Sequence, residues 1–543
     1  MSNILIGSAW PYANGDIHLG HVAGLIAGDV LARYYRLQNE QVTYVSGTDS
    51  HGTPILITAK KQGLTPAELV AKKHPEFKDL FTKLGLSFDT YSTTTESDHK
   101  AFAQEVFQKL YTKGLLYLKT EKNPYSPTEK MFLADTYVVG TCPHCGYDKA
   151  LGNQCENCGS LLSPEELINP KSKETGESLE FRETEQFYFA LSKLEPKIKE
   201  WFANADTSLW RDNAVQTTRS WLEEGLQDRP VSRDLEWGVS VPVEGYEEKK
   251  IYVWFEAVLG YLSASKLVLQ DKQAEVWKNS ETRLILVHGK DNIPFHTIIF
   301  PAILLGLDED YVLPTQIVSS EYLLLEGQKF SKSNNWAIWL KDALAEFDAD
   351  LLRYHLILQG PETQDASFGW EHFQEVINTV LLGKYANLYN RVISMLLKHV
   401  GETVTPYPVT DRVLLTKIKE AKTVINQAIE AGEHRKALLI IRDLTIEANV
   451  WLNEAEPWKT VKQDKENAVK DLYTCLLIVA ELTLLLRPFV PTITRTACEN
   501  LGINHDSAWE ENLDSNATFA LRAGHLVSRI PDEKIAELQA KLG

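Results

Sequence analysis

Short apolar runs alternate with runs of helical spacing along the first part of the chain. Apolar runs of strand length cover residues 4–6, 42–45, 250–254, 284–288 and 317–320, and apolar residues recur at helical spacing in 22–31, 257–267 and 298–305. This alternation predicts an α/β fold with a parallel, doubly wound, Rossmann-like sheet. The pattern breaks at about residue 117 and resumes near 233, so we expect an insertion that splits the sheet into two halves.

Helical spacing dominates the second part of the chain. Helical runs cover 376–397, 415–431, 435–452 and 468–486, with polar or proline-containing breaks between them. This pattern predicts an all-α helical bundle. Residues 476–490 form the most apolar run, but Glu481 and Arg487 interrupt it and it is too short to span a bilayer, which favours a buried helix.

These patterns predict five segments. The segments are a first sheet half (1–116), an insertion (117–228), a second sheet half (229–320), a connecting region (321–375) and the bundle (376–543). We find no internal repeat and no low-complexity stretch in the sequence. A helical bundle behind a split sheet is therefore the expected architecture.

The first strand leads into the loop PYANGDIHLGH at residues 11–21, and a helix follows. Such a strand–turn–helix directs backbone N–H groups and the positive end of the helix toward a polyphosphate. Gly15 and Gly20 allow a ligand to approach closely, and the imidazoles of His18 and His21 supply hydrogen-bond donors. We interpret the loop as an ATP site. Two histidines at this spacing in isolation would more often be surface or capping residues.

A second cationic motif, KFSKS, lies at residues 329–333 behind Gly327 and Gln328. Its two ammonium groups, on Lys329 and Lys332, are three residues apart. Alone, the motif would be an ordinary solvated basic turn. Together with the first loop, it predicts that two groups of cations bind one triphosphate.

Four cysteines lie in the predicted insertion as CPHC, nine further residues and CENC. The thiolates of Cys142, Cys145, Cys155 and Cys158 can form a closed tetrahedral zinc site, which leaves no position for a substrate. A pair of disulfides is the alternative, but it does not suit a cytoplasmic chain. We therefore expect one structural zinc ion.

The second strand ends in GTDSHGTP, which places Asp49 and His51 at the carboxyl edge of the predicted sheet, where ligands of such sheets bind. An Asx turn that caps the helix beginning at Pro54 is the alternative. Further along, Thr65 and Glu68 form the pattern of a capping box and predict the start of another helix.

Composition limits the classes of function. The 543 residues are 44% hydrophobic, as expected for several domains with their own cores. Lys and Arg number 56 against 74 Asp and Glu, a net charge of −18, so a nucleic-acid partner would need a local basic surface. The start, MSNILIGS, has no basic region or cleavage site, and we expect a cytoplasmic protein without a membrane anchor.

The motifs together resemble a known family. PYANGDIHLGH and KFSKS resemble the HIGH and KMSKS signatures of class I aminoacyl-tRNA synthetases. GTDSHGTP, the four-cysteine knuckle, YVWFEAVLGY, GKDNIPFH, KYANLYNR and EAEPWK resemble the methionyl members of that family. The resemblance implies an enzyme that forms methionyl-adenylate from methionine and ATP, releases pyrophosphate, and transfers methionine to the 3′-terminal adenosine of its tRNA.

The resemblance also implies roles for individual residues. The catalytic cations would be His18, His21, Lys329 and Lys332; ATP would contact Asn14, Gly15, Gly20, Gly289, Asp291 and Lys332; methionine would contact Ala9, Trp10, Tyr12, Asp49, Trp254, Ala257, Tyr261 and His296; and the anticodon would contact Asn387, Arg391 and Trp458. Asp49 would hold the substrate ammonium, and Mg²⁺ would accompany ATP. The tRNA partners would be the initiator and elongator methionine tRNAs.

Some residues depart from the family pattern. Trp10 stands where many relatives have Leu, Val258 where many have Pro, Asn292 where an aliphatic residue is usual, and Phe330 where Met is usual. The first three limit what can be expected of the pocket's detailed shape, whereas Phe330 should be harmless. No dimerisation extension follows the bundle, so we expect a monomer.

Four other classes of protein share some of these motifs, and each differs from this sequence in one feature. The valine, isoleucine and leucine enzymes share the sheet but carry a large editing domain in the insertion. A cysteine enzyme would need a metal with an open position. A small-metabolite nucleotidyltransferase would be far shorter, and a non-catalytic, zinc-bearing tRNA-binding protein would not need His18, Lys332 and Asp49 together.

Overall fold

The structure is a computed structural model, which describes residues 3–152, 155, 157–158, 160, 162–330 and 336–542. The first sheet half contains β1 (Asn3–Ser8), α1 (Leu19–Ala23), α2 (Ile26–Leu37), β2 (Gln41–Thr48), α3 (Thr53–Lys61), α4 (Pro66–Lys83), β3 (Thr90–Thr93) and α5 (Ser97–Thr112). The helix predicted at 22–31 is in fact the two helices α1 and α2. The capping box of α4 is confirmed, because Thr65 Oγ1 accepts from the backbone N–H of Glu68 at 3.2 Å.

The insertion is mainly antiparallel. Its elements are β4 (Leu116–Ser126), β5 (Met131–Phe132), β6 (Val138–Thr141), β7 (Ala150–Leu151), β8 (Ile168–Ser172), β9 (Glu180–Phe189), α6 (Leu191–Asn204) and α7 (Asp212–Glu224). The short strands β10 (Arg229–Pro230), β11 (Ser232–Arg233) and β12 (Lys250–Ile251) follow it, at the start of the second sheet half. The long strands β4 and β9 form a ribbon, and the small sheet β7-β6-β8 carries the cysteine turns.

The chain then returns to the parallel sheet. The elements are α8 (Val253–Ala257), α9 (Gly260–Leu269), α10 (Gln273–Trp277), β13 (Arg283–Gly289), α11 (Phe300–Leu307) and β14 (Gln316–Ser320). The strand predicted at 250–254 is wrong beyond Ile251, since Trp254 lies in the helix α8. An apolar run of five residues satisfies either structure, and here the turn of helix buries Val253, Phe255 and Glu256 together.

The central sheet has the strand order β14-β13-β1-β2-β3 with every pair parallel, which confirms the predicted fold class. Helices cover both faces. Ile4 and Ile6 of β1 belong to one apolar core, whereas Leu5 belongs to the core on the other face. The loops after β1, β2 and β13 therefore lie at the same carboxyl edge of the sheet, where a ligand site is expected.

A connecting region and the bundle complete the chain. They contain β15 (Leu323–Leu325), β16 (Gln328–Lys329), α12 (Leu340–Glu346), α13 (Ala349–Leu358), β17 (Ala366–Phe368), α14 (Trp370–Val376), α15 (Asn387–His399), β18 (Thr403–Val404), α16 (Val413–Glu430), α17 (His434–Ala455), α18 (Pro457–Thr460), α19 (Lys465–Leu486), α20 (Pro491–Leu501), β19 (Phe519–Ala520) and α21 (Asp532–Gln539). A π-helical stretch, Ile377–Ala386, joins α14 to α15. Of the helices described, none combines the length and apolarity that crossing a bilayer requires.

Buried charges fix the bundle to the first sheet half. Arg353 of α13 contacts Asp29 of α2 at 2.7 Å, and both side chains are fully buried. Arg353 Nε also donates to the Phe489 carbonyl at 3.0 Å, directly after α19. Asp29 accepts further hydrogen bonds from Arg33 and Ser87. The helix that follows the first signature loop is thereby held rigidly against the bundle.

Candidate functional site

The two signature loops meet at the carboxyl edge of the central sheet. The ring of Phe330 stacks on that of His18, with centroids 4.7 Å apart and planes inclined by 9°. On the far side of the lysine motif, the Leu19 N–H donates to the Ile338 carbonyl at 3.0 Å and the Leu340 N–H to the Ile17 carbonyl at 2.8 Å. Both arms of the lysine motif are thus attached to the first loop. Lys332, with Ser331 and Ser333, lies outside the described residues.

The first loop presents its histidines at the start of α1. His18 is the N-cap residue, its N–H donates to His21 Nδ1 at 3.1 Å, and the two rings stack with centroids 3.7 Å apart. A Cβ at Gly20 would lie 3.0 Å from the His18 ring, so a larger residue there would push the ring aside by a few tenths of an ångström. Asn14 and Gly15 are half-buried on the same loop.

Gly289 ends β13 and Asp291 follows it, at the same edge. A Cβ on Gly24, directly after α1, would be 3.8 Å from the Gly289 nitrogen, so the two predicted nucleotide-binding segments are adjacent. Asp291 is exposed and accepts a hydrogen bond from the Tyr322 hydroxyl. Lys329 Nζ lies 5.1 Å from the centroid of the Tyr322 ring. His18, Gly289, Asp291 and Lys329 therefore share one region of the surface.

Aromatic side chains surround a site beside this region. The Trp254 indole donates to the Tyr12 hydroxyl, and the strand segments of Tyr12 and Asp49 form a parallel bridge. Trp10 packs on Gly47 and Gly260, where a Cβ would come within 2.6 and 2.5 Å of the indole. The predicted residues Ala9 and Ala257 adjoin Trp10 and Trp254: Ala9 N–H donates to the Val287 carbonyl at 2.8 Å, and Ala257 ends α8.

Tyr261 and His296 form a defined hydrogen-bonded pair in the wall of this site. The His296 Nδ1 lies 2.8 Å from the Asn292 carbonyl, which can only accept, so Nδ1 carries the proton. Nε2 then accepts from the Tyr261 hydroxyl at 2.7 Å. Burial lowers the pKa of His296 to about 4, and its imidazole is therefore neutral at physiological pH.

Asp49 is buried beside these aromatic residues, with its backbone bridged to Tyr12, and in the described part of the chain its Oδ1 has no hydrogen-bond partner. Burial raises the pKa of Asp49 well above its usual range, and the nearby charge of Glu256 raises it further. Burial also raises the pKa of Glu256, but His51, whose Nδ1 lies 2.6 Å from its carboxylate, lowers it to a net value below the usual one. An ionised Asp49 is therefore best stabilised when a cation enters the site.

Several neighbours of this site did not emerge from the sequence. The Phe295 ring packs edge-on against the Trp254 ring, with centroids 4.2 Å apart, and the His288 ring stacks on the His296 ring, with centroids 4.1 Å apart. Glu256 lies close enough to Asp49 for its charge to raise the pKa of that carboxyl, although about 200 residues separate the two in sequence. In the sequence, Glu256 is a single acidic residue within an otherwise apolar helical run, a pattern that indicates a buried charge with a partner elsewhere in the chain.

The four knuckle cysteines converge. Their sulfur atoms all lie within 4.8 Å of one another, with Cys142–Cys158 at 3.8 Å and Cys145–Cys155 at 3.6 Å. These separations are far longer than a disulfide of about 2.05 Å, so the disulfide alternative is wrong. They match the sulfur–sulfur edge of about 3.8 Å in a tetrahedron with zinc–sulfur bonds of about 2.3 Å. The donor set fits one structural zinc ion.

The three predicted anticodon residues share one face of the bundle. Asn387 and Arg391 lie one turn apart on α15, and the Arg391 guanidinium lies 4.9 Å from the centroid of the Trp458 ring. Arg391 also donates to Asn453 Oδ1 at 2.9 Å. Trp458 is half-buried in the short helix α18, rather than in the predicted turn.

Comparisons with known proteins show which family the chain resembles over most of its length. The profile described as tRNA synthetases class I (M) matches residues 4–393, and that described as the anticodon binding domain of methionyl tRNA ligase matches 403–542. A methionine–tRNA ligase of Bacillus mycoides is 45% identical over 90% of each chain, and one of Bacillus anthracis is 44% identical over 94% of this chain and 93% of its own. The fold matches that of Mycobacterium tuberculosis methionyl-tRNA synthetase in complex with methionyl-adenylate. The TM-score is 0.81 and the sequence identity 24%, and the match covers 97% of this chain and 99% of the other.

Proposed function

The chain belongs to the class I tRNA synthetases of the methionyl family, and from this membership we propose the course of its reaction at the site described above. It is an ATP-dependent methionine–tRNA ligase. It forms methionyl-adenylate with release of pyrophosphate and then transfers methionine to the 3′-terminal adenosine of its tRNA. The stack of Phe330 on His18 carries the assignment of the site, because it joins the two cationic motifs that one triphosphate would have to bridge.

Chemistry at the phosphates requires no nucleophilic side chain. The methionine carboxylate attacks the α-phosphorus in line, and the electron pair of the broken bond leaves with pyrophosphate. His18 and His21 follow the charge on the phosphate oxygens, while Lys329 and Lys332 hold the leaving group. Asn14, Gly15 and Gly20 line the path of the triphosphate, and magnesium accompanies ATP as part of the substrate.

Methionine would lie in the aromatic site with its ammonium on Asp49. The rings of Tyr12, Trp254 and Tyr261 enclose its side chain, because thioether sulfur packs favourably against ring edges, at about 0.3–1.5 kcal/mol per contact. The neutral His296 keeps this wall uncharged, and Trp10 and Ala257 limit its volume. Ala9, at the end of β1, places the amino acid next to the ATP loop.

Gly289 and Asp291 would hold the adenosine ribose, since a glycine permits backbone contact and a carboxylate accepts from ribose hydroxyls. Asn387, Arg391 and Trp458 would read the anticodon of the initiator and elongator methionine tRNAs. We further propose a cytoplasmic monomer with the five segments 1–116, 117–228, 229–320, 321–375 and 376–543. Zinc held by Cys142, Cys145, Cys155 and Cys158 stabilises the insertion.

The test is exchange of labelled pyrophosphate into ATP, measured separately with each of the twenty amino acids. We expect exchange with methionine alone. Exchange with valine, isoleucine or leucine instead would overturn the specificity, and no exchange with any amino acid would favour the non-catalytic tRNA-binding alternative.

Lys332→Ala tests the cationic motif within the same assay. We expect it to retain zinc and fold but to lose exchange by orders of magnitude, because the lysine acts on charge that develops in the transition state. Lys197→Ala, an exposed lysine of α6, is the matched control and should exchange like the wild type. Near-normal exchange in Lys332→Ala would refute its assignment.

A further inference from the structure

Tyr322, between β14 and β15, contacts three charged groups beside the nucleotide region. Its hydroxyl donates to Asp291 Oδ1, and its ring centroid lies 4.0 Å from Lys290 Nζ and 5.1 Å from Lys329 Nζ. No motif of the sequence singles out this tyrosine. It nevertheless links the carboxylate assigned to the ribose with the first lysine of the phosphate motif.

The backbone of Tyr322 is held on both sides. Its N–H donates to Asp365 Oδ1 at 2.9 Å, and its carbonyl accepts from Ala366 N–H at 3.0 Å. Lys290 is fixed too, because Glu321 and Asp365 bind its ammonium at 2.7 and 2.9 Å. The tyrosine is therefore a rigid support, whereas Lys329 and Asp291 are exposed and would otherwise sample several rotamers.

Tyr322 acts on two neighbouring side chains, through its hydroxyl on Asp291 and through its ring on Lys329. The hydroxyl occupies one oxygen of Asp291 and fixes the carboxylate plane, which leaves the other oxygen for a ribose hydroxyl. The ring attracts the Lys329 ammonium through its negative face and keeps it at the entrance of the phosphate region. We propose that Tyr322 is a positioning residue for ATP, which orients Asp291 toward the ribose and Lys329 toward the phosphates. This inference rests on the proposed function.

The hydroxyl and the ring are tested separately. Tyr322→Phe removes only the hydroxyl, and we expect the KM for ATP to rise about 10- to 150-fold, the cost of one hydrogen bond to a charged group, with kcat and the KM for methionine unchanged. Tyr322→Leu removes the ring as well, and we expect kcat of exchange to fall in addition. A KM for ATP within twofold of wild type in Tyr322→Phe would overturn the proposal.

Tyr311→Phe is a matched control. Tyr311 also has a lysine over its ring, with Lys278 Nζ 4.9 Å from the centroid, and an acidic partner in Glu309, but it lies away from the carboxyl edge of the sheet. This variant should leave the KM for ATP unchanged. Thermal melting of all variants checks that they fold.

A double variant tests the route through Asp291. In an Asp291→Ala background, Tyr322→Phe should produce no further rise in the KM for ATP, because the group it orients is gone. An equal further rise would show that the hydroxyl does not act through Asp291. Equilibrium binding of ATP to the wild type and to Tyr322→Phe gives an independent readout, and equal ATP affinity of the two proteins would refute the role of Tyr322. Absence of pyrophosphate exchange in the wild type would instead refute the proposed function.

Discussion

His18 and Phe330 are stacked nearly parallel, with ring centroids 4.7 Å apart, although their two signature motifs lie about 310 residues apart in the sequence. Gly20 lies beside this stack, since a Cβ there would be 3.5 Å from the Phe330 ring, an ordinary van der Waals contact, and 3.0 Å from the His18 ring. The second position of the lysine motif is therefore a structural contact between this motif and the first loop.

Phe330→Ala should lower kcat of methionine-dependent exchange about fivefold, because loss of a ring contact worth about 1 kcal/mol frees the lysine arm from the first loop. Phe330→Met should remain close to wild type, since a thioether also packs on an aromatic ring. Initial-rate exchange at saturating substrates measures both. Equal loss in the two variants, or none in Phe330→Ala, would contradict this role.

The sequence predicts that the signature loops lie together at one sheet edge, but it does not predict which buried side chains pack behind them. Motifs that follow parallel strands must lie at the same sheet edge, so His18, Asp49 and Asp291 could be placed together from the sequence. Glu256 could not be placed near Asp49, because the approach of two distant segments leaves no local periodicity in the sequence. The run at 250–254 was assigned to the sheet because five apolar residues do not distinguish a strand from a helical turn. The strand Thr90–Thr93 was missed because its polar residues conceal its burial.

Methionine binding should weaken as the pH falls. Burial, together with the charge of Glu256, raises the pKa of Asp49 in the free enzyme, and only the ionised carboxylate pairs with the substrate ammonium. Below that pKa, binding must displace a proton, so the KM for methionine should rise about tenfold per pH unit. Glu256→Gln lowers the pKa of Asp49 and should move this rise to lower pH.

The KM for ATP over the same pH range serves as the control for the Asp49 experiment, because Asp49 does not contact the nucleotide in the proposed arrangement. A pH profile of the KM for methionine that is identical in Glu256→Gln and wild type would show that the buried charge does not act on Asp49.

Metal analysis should find about one zinc per chain. Cys145→Ala removes one of four sulfur ligands and should lose the zinc, together with the protease resistance of the insertion, because small sheets with little apolar core depend on the metal. Cys498→Ala, a buried cysteine of the bundle, is the matched control and should retain zinc. Fully active, metal-free protein would show that the knuckle does not bind zinc.

Arg353→Met should destabilise the protein by about 3–5 kcal/mol, because it leaves the Asp29 carboxylate buried without its main partner. Burial raises the pKa of Asp29, but the guanidinium groups of Arg353 and Arg33 lower it more, to about 2. This contribution is thus fully present above the unfolded pKa of about 4 and is lost as the pH falls toward 2.

Thermal melting from pH 7 to pH 2 measures the contribution of Arg353. The wild type should lose more stability than Arg353→Met over the acid range, and the two melting temperatures should approach one another. Arg442→Met removes a guanidinium that is 34% exposed and pairs with its neighbour Asp443, and it should change stability by less than about 0.5 kcal/mol. A pH-independent difference between wild type and Arg353→Met would exclude Asp29 as the cause.

Trp458→Ala should separate the two halves of the reaction. Stacking of a base on an indole contributes about 1–3 kcal/mol, so kcat/KM for tRNA aminoacylation should fall about 5- to 150-fold. Methionine-dependent pyrophosphate exchange needs no tRNA and should be unchanged. Trp458→Phe keeps an aromatic ring beneath Arg391, whose guanidinium lies 4.9 Å from the centroid of the indole in the structure. This variant should therefore lose less aminoacylation activity than Trp458→Ala. If both activities fell together, Trp458 would be supporting the fold of the bundle rather than binding the anticodon.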